Sequence, residues 1–244
     1  MKRFFVALFL AVLGSSAAQA AEEGYRLDRA PIDPTDLVSL QAGARTFSNY
    51  CLSCHSAEYM RYNRLTDIGL TTDQIRDNLM FASDKVGDTM KVALTAQEGK
   101  KWFGVAPPDL TVVARARGAD WLYTYLRSFY RDPKTASGWN NAVFPNVAMP
   151  NVLWTLQGQR AVDIVKGEEG GQETAAYKWR QLTPGLQTQV EYDTTVRDLV
   201  NYLVYMGEPA AVERKRIGIV VLFALGILFI FAYLLKKEYW KDVK

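Results

Sequence analysis

Two thiols and an imidazole stand within five residues of one another, in the run Cys51-Leu52-Ser53-Cys54-His55. They are the chain's only cysteines and its only histidine. Cys-x-x-Cys-His is the spacing of a c-type haem attachment site. Each thiol can add across one haem vinyl group, while the adjacent imidazole reaches the iron from the same face. One helical turn is enough to bring all three groups to one edge of the macrocycle. A thioredoxin-like redox pair needs a βαβ setting and no neighbouring histidine, and no such pattern surrounds Cys51. A structural zinc site would have to recruit an Asp or Glu to reach four ligands. A plain disulfide leaves His55 without a role.

A six-coordinate electron-transfer haem needs a ligand opposite His55. With no second histidine in the chain, methionine is the expected type, and His/Met ligation raises the reduction potential. Met60, Met80, Met90, Met149 and Met206 remain as candidates after a leader carrying Met1 is removed. Met60 follows His55 too closely to circle to the other face. Met80 lies on a helix candidate, Met90 in a charged neighbourhood, and Met206 at the end of a helix. Met149 sits in the loop Val147-Ala148-Met149-Pro150, where the proline restricts it to extended backbone that can present a side chain. An ordinary gap-filling core methionine is the competing reading for each of them.

The elements that must position these groups are mostly helices. Leu37, Leu40, Ala44, Phe47 and Cys51 recur at intervals of three and four, which predicts a helix over 37–50 delivering the thiols, capped by Thr35 or Asp36. Further helices are expected over 71–81, 119–130 and 194–206, the last capped by Asp193 or Thr194. Residues 22–36 read as extended because of Pro31 and Pro34. The stretch 133–158 reads as a long Pro-, Gly- and Asn-rich loop. Residues 159–193 are the least legible, with alternation around 186–192 that fits a surface hairpin.

The two ends carry targeting signals. Lys2 and Arg3, the apolar run Phe4–Leu13 and Ala18-Gln19-Ala20 read as a signal peptide over 1–20. Ile217–Leu235 is 19 residues without a charge, long enough to cross a hydrocarbon core of roughly 30 Å. Basic residues flank both of its ends, so the positive-inside rule discriminates weakly and the signal peptide sets the orientation. The expected organisation is a signal peptide (1–20), an exported haem domain (21–212), an anchor (213–236) and a cytoplasmic tail (237–244). The chain's net charge of +3 comes from its ends, since residues 21–212 hold 20 Lys and Arg against 23 Asp and Glu, a net of −3. Such a domain carries no electrostatic footprint for nucleic acid. Glu168, Glu169 and Glu173 form an acidic group that reads equally as solvated loop or docking patch.

Several motifs in order resemble the cytochrome c1 family in a bacterial form, over roughly 24–240. They are Asn49-Tyr50-Cys51-Leu52-Ser53-Cys54-His55-Ser56, Tyr59-Met60-Arg61-Tyr62-Asn63-Arg64-Leu65, Pro107-Pro108-Asp109-Leu110, Arg115-Ala116-Arg117, Ala148-Met149-Pro150 and Met206-Gly207-Glu208-Pro209. A single C-terminal membrane helix completes the set. The resemblance implies a mainly α, cytochrome c-like haem domain with long loops, one covalent haem c, and His55 and Met149 as iron ligands. It also implies that Arg117, with Arg115, pairs a haem propionate, since guanidinium and carboxylate can form two parallel hydrogen bonds. Pro107 and Pro108 become a rigid loop against the haem, and Trp121 and Tyr125 haem-side aromatics. Some relatives clip a loop with a further disulfide, for which this chain has no cysteines.

The implied function is one-electron transfer from a Rieske iron–sulfur protein to a cytochrome c, beside cytochrome b and membrane lipid, in a quinol–cytochrome c oxidoreductase of a bacterial inner membrane. The haem domain would face the periplasm, and quinol chemistry would belong to the complex. Two other readings remain at this level: a free-standing anchored electron shuttle, and a haem sensor or enzyme with an open sixth position.

Overall fold

A computed structural model describes residues 25–169 and 172–242. The signal peptide expected over 1–20 lies outside them. Asp36 starts the first helix, α1 (Leu37–Thr46), by accepting from the Val38 and Ser39 N–H groups, each at 3.1 Å. The α-helical pattern does not continue to residue 50. It widens into a π turn over Phe47–Cys51, in which the Leu52 N–H reaches back to the Phe47 carbonyl at 3.0 Å. Such single turns inside or at the end of helices are common at functional positions. Here the turn delivers Cys51, whose carbonyl then accepts from the Cys54 and His55 N–H groups.

The chain then forms strand β1 (Ala57–Arg61), a 3₁₀ segment (Tyr62–Ile68), α2 (Thr72–Leu79), β2 (Thr89–Met90), α3 (Ala96–Phe103), α4 (Val113–Arg117) and α5 (Ala119–Arg127). Strands β3 (Phe129–Arg131) and β4 (Trp139–Asn141), the short α6 (Trp154–Gln157), the hairpin β5 (Gly158–Glu169) and β6 (Gln172–Pro184), and helices α7 (Gln189–Gly207) and α8 (Ala211–Tyr239) follow. The three strand pairs among the described residues are separate antiparallel ribbons, so the architecture is mainly α.

Three sequence expectations are corrected. The helix predicted over 119–130 ends at Arg127, because Phe129-Tyr130-Arg131 pairs instead with Trp139-Asn140-Asn141. The helix predicted over 194–206 begins at Gln189 and not near Thr194, because Thr188 and Glu191 form a reciprocal capping box upstream of the expected caps. The hairpin occupies 158–184, ahead of the alternation at 186–192, which belongs to the entry into α7.

Helices α1 and α7 cross at the centre of the domain. A Cβ on Gly43 would lie 2.0 Å from the Asp198 carbonyl oxygen, so only glycine permits this approach. Ser39 Oγ donates to Asp198 Oδ1 at 2.7 Å, and Asn201 Nδ2 donates to the Asp33 carbonyl at 2.7 Å. Phe47 packs against Tyr202, and Leu40, Val196 and Leu199 complete a buried seam. Helix α5 lies against α7, fixed by the Tyr192 hydroxyl on the Leu126 carbonyl and by Arg127 on both oxygens of Asp193. Helix α8 contains the apolar stretch 217–235 and buries no residue against the rest of the chain. Its 29 residues extend about 43 Å at the α-helical rise, enough to cross a bilayer.

Candidate haem site

Cys51, Cys54 and His55 emerge from the π turn on the wall of a cavity of about 480 Å³. Other segments supply the remaining lining. Leu199 and Leu203 come from α7, Trp121, Leu122, Tyr125 and Leu126 from α5, Phe103–Pro108 from the end of α3 and the loop after it, and Val147–Pro150 from the loop before α6. The lining is almost entirely apolar, the character expected of a pocket for a large hydrophobic cofactor. Cys51 is buried, which, with the neighbouring Cys54, pushes its thiol up to about 12. The two cysteines are not bridged to each other. No group of three or more His, Cys, Asp and Glu is disposed to hold a metal ion among the described residues.

The imidazole of His55 is fixed by one bond. Its Nδ1 lies 2.7 Å from the Pro108 carbonyl oxygen. A carbonyl only accepts, so Nδ1 carries the hydrogen and Nε2 keeps a free lone pair. This is the tautomer an iron ligand needs, and the bond also raises the ring's basicity. Burial lowers the His55 pKa, against smaller upward effects from Pro108 and Asp109. Pro108 therefore contributes an acceptor in addition to rigidity. Asp109 holds that acceptor in place. Its Oδ2 accepts from the Glu58 N–H at 2.7 Å and its Oδ1 from the Thr111 N–H at 2.8 Å, while the Leu110 N–H reaches the Ser56 carbonyl at 2.9 Å. The Pro-Pro-Asp-Leu run is thus tied to the strand that follows the attachment motif. From the other side, Gly99 of α3 lets Pro107 approach, since a Cβ there would lie 2.7 Å from Pro107 Cδ.

Of the methionines, Met149 alone lines this cavity among the described residues. Met60 and Met90 are buried in the core beside the β1–β2 ribbon, and the Tyr202 hydroxyl lies 3.7 Å from Met90 Sδ. Met206 is buried on α7, and Met80 packs at the edge of the core. The Tyr125 hydroxyl donates to Met149 Sδ at 3.4 Å. Burial pushes the pKa of this phenol well above the usual tyrosine range.

Three buried asparagines hold the loop that carries Met149. Asn141 Oδ1 accepts from Ser128 Oγ, the Val143 N–H and the Phe144 N–H, and its Nδ2 donates to the Tyr125 carbonyl at 2.8 Å. Asn140 Oδ1 accepts from the Asn146 N–H at 2.8 Å, and its Nδ2 donates to Asp132. Asn151 bonds Gln157 and caps the Leu153 N–H. Asn146 itself sits at φ 61°, a conformation asparagine tolerates better than most residues. These side chains order a loop that has no disulfide, and sequence reading passed over them. The available signal was two adjacent asparagines before a proline-rich turn, where their side chains readily bond nearby backbone.

The two arginines part company. Arg117 lines the cavity at its exposed rim, with its guanidinium 5.1 Å from the Trp121 ring centre and 5.8 Å from that of Phe144. Arg115 is not among the lining residues, and its stem packs at Gly207 on α7. Residues two apart on a helix do not share a face, so α4 directs the two arginines differently. Trp121 and Tyr125 both line the cavity, stacked with ring centres 4.7 Å apart. Two adjacent thiols, an imidazole with Nε2 free and a thioether in one apolar cavity form a donor set that suits a c-type haem.

Residues 28–176 and 181–243 match the family model described as Cytochrome C1 family. The chain is 49% identical to cytochrome c1 of Allochromatium vinosum over the full length of both. It is 50% identical over 97% of each chain to a Nitrosomonas europaea protein named ammonia monooxygenase gamma subunit. It is 27% identical to cytochrome c1 of Rhodospirillum rubrum, over 100% of this chain and 98% of the relative.

Proposed function

The chain belongs to the cytochrome c1 family, and from that premise we propose how its own residues carry the family's electron transfer. It is a membrane-anchored, single-pass c-type cytochrome of a quinol–cytochrome c oxidoreductase (bc1) complex, with a covalently bound haem. The haem, when bound, supplies a one-electron iron couple. Cys51 and Cys54 would hold it through thioethers. His55 Nε2 and Met149 Sδ would ligate its iron, with Pro108 orienting the imidazole, and Arg117 would pair a propionate at the rim. Leu199, Leu203 and the α5 aromatics exclude water, which keeps reorganisation small and favours outer-sphere transfer. A Rieske iron–sulfur protein donates and a cytochrome c accepts, both approaching the exposed rim near Phe103 and Val105.

Helix α8 anchors the domain beside cytochrome b in lipid, with the haem domain in the periplasm and the tail in the cytoplasm of a bacterial inner membrane. The leader-like pattern of 1–20 supports that orientation, and the boundaries proposed with it are 21–212, 213–236 and 237–244. The observation that carries the reading is the meeting of Cys51, Cys54, His55 and Met149 in one cavity. The Nitrosomonas relative's name assigns that protein to a monooxygenase. Oxygen chemistry at a haem in this chain would require an open coordination position, and Met149 in the cavity argues for a closed one. Replacing Met149 by leucine decides the point. The variant should lose potential and gain carbon monoxide binding in the reduced state, and an unchanged spectrum and potential would remove Met149 from the ligand set.

A further inference from the structure

We propose that Tyr125 is a positioning residue for the sixth ligand: its hydroxyl donates to Met149 Sδ, orients the sulfur and draws electron density from it, so that the reduction potential is raised. The proposal rests on Met149 being that ligand. A thioether sulfur has two lone pairs. A donor on one leaves the other free for iron and makes the sulfur a weaker electron donor, which disfavours the oxidised metal.

The geometry holds the phenol in place for this role. Tyr125 is buried on α5, stacked nearly parallel on Trp121 at 4.7 Å and edge-on to Phe129 at 5.0 Å. Its carbonyl accepts from Asn141, the residue that also caps the Val143 and Phe144 N–H groups upstream of Met149. Ring and loop are thus tied to the same side chain. The hydroxyl's one protein partner among the described residues is Met149 Sδ. The arrangement parallels that at His55, where a single bond from Pro108 fixes the other ligand.

The test uses the full-length, haem-loaded protein in detergent. Tyr125→Phe removes one oxygen and leaves both ring contacts, so circular dichroism should match the parent. At a fixed ambient potential the ratio of reduced to oxidised protein should fall by about two- to fivefold, the reach of one modest hydrogen bond. The sulfur-to-iron charge-transfer absorption of the oxidised protein should shift but persist. In a Met149→Leu background the same change should have no further effect on the ratio. An unchanged ratio and absorption in Tyr125→Phe would overturn the proposal while leaving the ligand reading intact. An equal shift with and without Met149 would also overturn it, since the effect would not pass through sulfur. A charge-transfer band that survives Met149→Leu would sink the ligand reading, and this proposal with it.

Discussion

Replacing Asn141 by alanine should loosen the proposed ligand Met149 while leaving His55 untouched. Asn141 is fully buried, and its side chain makes four hydrogen bonds. Two of its partners have other options: Ser128 Oγ also reaches the Tyr125 carbonyl, and that carbonyl also accepts from the Ser128 N–H. The Val143 and Phe144 N–H groups lose the acceptor given to them here; Val143 is half-buried, whereas Phe144 is exposed and its N–H can turn to water. A stranded Val143 N–H costs about 1–3 kcal/mol, which sets the expected loss. A domain with stability of about 5–15 kcal/mol survives that and still folds. The loss falls on the loop that carries Met149, whereas His55 is held by Pro108 on another segment. Urea unfolding followed by circular dichroism should therefore show the destabilisation. The reduced variant should also begin to bind carbon monoxide, with its thioether-linked haem retained. A variant within about 0.5 kcal/mol of the parent, the scatter of an ordinary surface substitution, and inert to carbon monoxide would refute the clamp.

Gly43→Ala should be destabilising by about 1–3 kcal/mol or more, because its Cβ meets backbone and not a flexible side chain, and this outweighs the roughly 1 kcal/mol that alanine gains over glycine in a helix. Gly87→Ala, with open space around it, is the matched control, and equal thermal midpoints for the two would contradict the close α1–α7 crossing. Asp109→Ala should raise the reduction potential, since it removes a nearby negative charge and frees the Pro108 carbonyl from His55 Nδ1, and both changes disfavour the oxidised iron; a redox titration matching the parent would count against this coupling. Arg117→Ala should lower the potential, and Arg117→Lys should restore only part of it, because lysine keeps the charge without the bidentate fork; a full restoration would argue for charge alone.

The attachment motif was legible because its chemistry is local. Cys51, Cys54 and His55 are neighbours in sequence, and their spacing needs no knowledge of the fold. The helices were legible where an apolar face repeated, as from Leu37 to Cys51, and less so at their ends. Thr188 and Glu191 spell a start signal that was overlooked because the alternation around them suggested a strand. The hairpin's true register pairs Val162 with Trp179 and Ile164 with Tyr177, β-branched residues facing aromatics across the ribbon. Neither strand alone announces that pairing. Pro108 was visible as a rigid residue, but its carbonyl matters only opposite His55, 53 positions away in sequence. Asn140, Asn141 and Asn151 read as loop composition until their partners are known. Adjacency of Arg115 and Arg117 in a motif hides that they lie on different faces of α4, of which only Arg117 lines the cavity.

The central claim is a closed haem held by His55 and Met149 for electron transfer. A reduced-minus-oxidised optical spectrum of the purified protein, taken with and without carbon monoxide, tests it most directly. The account predicts a c-type spectrum that carbon monoxide does not alter. A carbon-monoxide-sensitive spectrum would contradict the closed site, and a haem that organic solvent extracts would contradict attachment through Cys51 and Cys54.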